Sequence, residues 1–94
     1  MLKIKGIFNS KEIFLDGKPL SPRPSLEIVN HSPDGFNWGY GGSGPAQLAL
    51  AILLSAKERK KALEQYREFT SKVIARLPQD DFEVCIDEET FEFL

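Results

Sequence analysis

The chain has 94 residues, 41% of them hydrophobic and 28% charged, with a net charge of −2. That is enough chain for one domain spanning residues 1–94, and too apolar a composition for a disordered one. Its longest uninterrupted apolar run, Leu48–Leu54, is seven residues, far short of a membrane span, so no membrane partner is expected.

Leu2, Ile4, Gly6 and Phe8 alternate with Lys3, Lys5 and Ile7, the pattern of a half-buried strand. Asn9-Ser10 breaks it and Glu12–Leu15 follows as a second strand, so residues 2–15 read as a hairpin. Asp16-Gly17 is a turn signal, since both residues tolerate positive φ. Pro19, Pro22 and Pro24 remove ladder donors, which makes 18–24 an edge or an irregular connection. Strand character resumes at Ser25–His31 through Leu26, Ile28 and Val29. Ser32-Pro33-Asp34-Gly35 carries the residues of a type I turn. Phe36, Trp38 and Tyr40 then share one strand face, so residues 25–40 read as a second β-hairpin.

Pro45 suits the start of a helix, where its missing N–H has no intrahelical partner. The helix predicted over 45–55 is apolar nearly all round apart from Gln47, as expected of a helix buried against a sheet. A second helix is predicted over 59–77, with Ala62, Leu63, Tyr66, Phe69, Thr70, Val73, Ile74 and Leu77 in one stripe and Pro78 as its stop. Phe82, Val84 and Ile86 alternate as a short strand, 82–86, and Asp87 can cap a terminal helical turn containing Phe91 and Leu94. The expected class is α+β: a small antiparallel sheet packed against two helices.

Charge is uneven along the chain. Residues 1–44 hold five basic and four acidic side chains, residues 45–78 seven and three, and residues 79–94 none and seven. A basic middle and an acidic end either attract within one fold or present a surface to a partner. Lys57, Arg59, Lys60 and Lys61 cluster, but the chain is acidic overall and carries no nucleic-acid reader motif, so nucleic acid is not the expected partner.

Gly39-Tyr40-Gly41-Gly42-Ser43-Gly44 matches G-x-G-x-x-G between a predicted strand and a helix. Glycines allow close backbone approach, and a helix start offers free N–H groups with a positive dipole end. The dinucleotide fingerprint also needs a parallel strand after its helix, and here a second helix follows. No Lys-Ser/Thr pair makes it a Walker loop. The competing reading is a tight corner, in which Gly42 is needed for its backbone conformation. His31 is the sole histidine and Cys85 the sole cysteine, so no metal set is expected. Neither Ser32 nor Ser43 stands in a nucleophile motif that would make His31 a base. Cys85 shares its strand face with Glu83 and Asp87, which disfavours a thiolate. One cysteine excludes an internal disulfide, and Met1–Lys5 lacks an apolar leader, so a cytoplasmic setting is the default.

Arg23-Pro24-Ser25-Leu26, Asn30-His31-Ser32-Pro33-Asp34-Gly35-Phe36 and the run from Trp38 to Leu53, with Tyr66-x-x-Phe69 and Val73-Ile74-Ala75-x-Leu77-Pro78, resemble a small family of unknown function with members in bacteria, archaea and their viruses. The resemblance implies no activity and no cofactor. It covers polar loop residues, His31, Asp34, Ser43 and Gln47, as well as core ones, which a purely structural corner does not require. The expectation is thus a non-enzymatic binding module for an anionic small molecule or nucleotide. The N–H groups of Gly42, Ser43 and Gly44, next to Gly41, would contact it, with Ser43 and Gln47 hydrogen-bonding, Tyr40 flanking, and Arg23 or His31 supplying countercharge. The viral members of the resembling family imply an alternative, a small inhibitor or accessory factor of host–virus conflict that binds a protein through its surface or acidic C-terminus.

Overall fold

A computed structural model describes residues 1–94. Strands β1 (Leu2–Ile7), β2 (Glu12–Leu15), β3 (Lys18–Pro19) and β4 (Phe82–Ile86) form one antiparallel sheet in the order β3-β2-β1-β4. The hairpin expected over 2–15 is present, with Ile4 opposite Leu15 and Gly6 opposite Ile13. Asp16 and Gly17 both take positive φ, 50° and 83°, and turn the chain into β3. Pro19 on this outermost strand has no ladder donor to lose.

Alternation gives the sheet one wet face and one dry one. Leu2, Ile4, Gly6 and Ile13 are buried while Lys3 and Lys5 are exposed. Gly6 is required by packing, because a Cβ there would overlap the Phe82 ring of β4. α2 (Ser43–Ala56) and α3 (Arg59–Lys72) share one core with the dry face, and α1 (Arg23–Ile28) packs on α2. Nine of the fourteen residues of α2 are buried, as an all-round apolar helix demands. It packs against α1 and α3 and joins the sheet in a single core. The α+β class is as the sequence implies, with three helices rather than two.

The hairpin expected over 25–40 does not form. Residues 23–28 are helix α1 instead, and Phe36–Tyr40 is a loop without a strand partner. The prolines explain the first difference: Pro22 is the N-cap residue and Pro24 falls in the first turn, where a missing N–H costs nothing. Ser25 Oγ donates to the Pro22 carbonyl at 2.7 Å and tightens that turn. The glycines explain the second. Gly35 and Gly39 have φ of 104° and 84°, which interrupts any extended run. The 32–35 turn itself closes as expected, through Gly35 N–H to Ser32 O at 3.1 Å.

Two helix boundaries also move. α2 begins at Ser43, two residues ahead of Pro45, because Ala46 N–H reaches Gly42 O at 3.0 Å. α3 ends at Lys72 rather than 77, and Ile74–Arg76 continues as a 3₁₀ turn. Thr70 Oγ1 donates back to Tyr66 O and Ser71 Oγ to Arg67 O, bonding that bends and weakens a helix end. Leu63, expected in the buried stripe, is 37% exposed. Asp87 does cap a turn, its Oδ1 accepting from Glu89 and Thr90 N–H at 2.9 Å each. Those two donors, Thr90 first, hold its carboxyl below the ordinary aspartate value. The turn is single, since Phe91 takes φ 63° and Phe93 returns to bridge Ile86.

Candidate functional site

Trp38 and Gln47 fix the ground on which a site can stand. Trp38 is fully buried and packs edge-on against Phe8 and Phe82, with centroids 5.7 and 5.1 Å away. Its indole N–H donates to Asp80 O at 3.1 Å, the partner a buried indole needs. Next to it, Gly39 N–H donates to Ile74 O at 3.0 Å, and a Cβ at Gly39 would lie 3.0 Å from Leu77 O. The 36–40 loop is thereby tied to the 74–80 segment in place of a ladder.

Gln47 is buried at 0% exposure and uses its whole hydrogen-bonding capacity on the chain itself. Its Oε1 accepts from His31 N–H at 2.7 Å and Ser32 N–H at 3.1 Å. Its Nε2 donates to Ser25 Oγ at 2.9 Å and Val29 O at 3.0 Å. An amide has two donors and two acceptor sites, so nothing is left for a ligand. The expected ligand-binding role of Gln47 is corrected accordingly: one α2 side chain brackets α1 and the 29–32 loop.

Above this bracket an open cleft of about 470 Å³ runs along the start of α2. Gly41, Gly42 and Ser43 form one wall and Arg67, Thr70 and Ser71 of α3 the other, with His31 at the rim. The volume is in the range of small-molecule sites. No side chain caps α2, and the N–H groups of Gly42, Ser43 and Gly44 have no acceptor within the chain. They carry the positive end of the helix dipole. No carboxylate lines the cleft. His31 is oriented from below: its Nε2 is 2.7 Å from the buried Tyr66 hydroxyl, and the Arg67 guanidinium lies 5.3 Å from the centre of the Tyr66 ring.

The residues expected at the site therefore separate. Gly41, Gly42, Ser43 and His31 come together at the cleft. Tyr40, 41% exposed, covers Gly42, where an added Cβ would be 2.7 Å from its ring. Gly44 is buried and faces Asn37, which a Cβ there would meet at 2.7 Å. Arg23 is exposed on α1 and does not line the cleft, so the nearby cation is Arg67. Nor is Gly42 a positive-φ position. Its φ of 174° is extended backbone, and within the 39–44 run the left-handed glycine is Gly39. The sequence carries no sign of Arg67 and Ser71 at the site and places Thr70 only in the buried stripe, although spacings of three and four residues put the three on one face of α3. No three His, Cys, Asp or Glu side chains converge on one point to hold a metal.

Residues 5–92 match a family of unknown function (DUF6166), and the chain belongs to that family. No curated protein and no solved structure matches. No helix is long and apolar enough to cross a membrane.

Proposed function

We propose that this chain is a non-enzymatic module that binds an anionic small molecule, of the phosphate or nucleotide class, in the cleft at the start of α2. The observation that carries the reading is an uncapped helix start opening into a carboxylate-free cleft that contains a guanidinium. Backbone N–H groups of Gly42 and Ser43 would hold anion oxygens, and Arg67 would supply the countercharge. Gln47 and Tyr66 serve the site indirectly by fixing His31 and the loop around it. The alternative, a protein-binding factor acting through the acidic end, gains from a different observation. The two ion pairs of the structure, Met1 with Glu88 and Lys72 with Glu68, leave the basic middle and acidic end of the chain unjoined.

Titration with phosphate and then a nucleotide, followed by backbone amide NMR, tests the anion reading. Saturable shifts confined to Gly41–Ala46 and Arg67 are expected. Arg67→Gln should weaken binding about tenfold, the loss of one charge-assisted contact, whereas Arg23→Gln should leave it unchanged. Equal effects of the two variants would refute the site as drawn.

A further inference from the structure

The acidic end of the chain meets an open edge of the sheet. β4 pairs with β1 on one side and ends the strand order on the other. Past Phe91 the chain returns along that outer side: Asp87 N–H donates to Glu92 O and Leu94 N–H donates to Cys85 O, each at 2.9 Å. These bonds show that Cys85 and Asp87 turn their backbone polar groups away from β1. By the alternation of an antiparallel ladder, so does Glu83. The turn and the returning tail satisfy the Cys85 carbonyl and both backbone groups of Asp87. Cys85 N–H and both backbone groups of Glu83 face outward without a partner in the chain.

An edge of this kind is a template for another strand. Its surroundings decide which one. Asp80, Asp81 and Glu83 are exposed beside it, and residues 79–94 contain no basic side chain. Lys5 lies across the ladder from Glu83 but makes no ion pair with it. A second copy would bring Glu83 and its acidic neighbours against their own kind, which is destabilising.

We infer that the outer edge of β4 receives an extended, basic segment of a partner protein as an added strand. Leu94 stands opposite Cys85, so main-chain bonds to the N–H and carbonyl of Glu83, beyond the end of the tail, would supply affinity, as in other strand-addition complexes. A Lys or Arg beside Glu83 would supply selectivity. The flanking residues of the partner would lie on the opposite face beside Val84, which is half-buried and favours apolar neighbours. The inference stands apart from the anion reading, since the two use different faces of the molecule.

The probe is a short synthetic peptide alternating lysine and valine, with a control of equal charge in which proline replaces the central valines. With the full chain, the alternating peptide should shift the Glu83 amide signal saturably and slow its hydrogen exchange. The proline peptide should do neither, because it cannot complete the ladder. Glu83→Lys alters an exposed side chain and should remain folded while losing the response. Three results would each overturn the inference: no response at this amide, an equal response to both peptides, or undiminished binding by Glu83→Lys.

Discussion

The sheet and the 29–47 segment reach order by opposite means. In the sheet, hydrogen bonds run from backbone to backbone, and side chains have only to alternate between a wet and a dry face. In the 29–47 segment the backbone lacks a ladder. Several of its polar groups are met by single side chains instead, Gln47 for His31 N–H, Ser32 N–H and Val29 O, and Gln79 for Gly39 O. A ladder spreads its stability over many replaceable bonds, whereas a bracket concentrates it in one residue. Substitutions should therefore cost far more in the second region than on the exposed face of the first.

The largest effect is expected at Trp38. Trp38→Ala should cost roughly 3–5 kcal/mol in chemical denaturation, through lost burial and a stranded Asp80 carbonyl. Gln47→Glu probes the bracket without changing its size. It removes two donors and places a carboxylate where nothing is solvated, and should cost about 2–4 kcal/mol. Tyr66→Phe removes only the hydroxyl beneath His31 and should cost about 0.5–1.5 kcal/mol. Lys5→Ala, on the wet face of β1, should stay within about 0.5 kcal/mol. If Lys5→Ala and Gln47→Glu had similar costs, the contrast between the two regions would fail.

A smaller effect concerns the acidic end. The carboxyl of Asp87 is held below its ordinary value by Thr90 and Glu89 N–H. Its contribution is therefore present above the unfolded value of 3.8 and is lost as pH falls through the lower folded value. Asp87→Asn should flatten this part of the acid-denaturation curve, read by circular dichroism, and leave the pH dependence of stability near neutrality unchanged.

The same contrast explains what was legible in the sequence. β1, β2 and β4 were readable because a ladder leaves a period of two in the residues that form it. α2 was readable because Ala46 to Leu54 has almost no polar residue to place outward. α1 was not, because Leu26, Ile28 and Val29 suit a strand, and the helix depends on Pro22 and Pro24 taking first-turn positions. Phe36 and Trp38 were rightly expected to be buried, but in a loop pinned by Ile74, Gln79 and Asp80. At the candidate site, the glycines announced a close backbone approach, whereas the partnership with Arg67 needed the packing of α3 against α2. Gln47 looked like a ligand-binding residue for the same reason that it is a bracket: a lone amide in an apolar helix must bond to something.

The most direct test of the central claim, that this segment is bracketed beneath and open to an anion above, is Gly42→Val followed by unfolding and phosphate titration. Gly42 has extended backbone, and the new side chain would meet the ring of Tyr40, an exposed residue able to move aside. The account predicts a folded protein that loses less than about 1 kcal/mol, in the range of surface substitutions, and no longer responds to phosphate because the added atoms block the N–H wall. An unfolded variant, or one that binds phosphate as the original does, would contradict it.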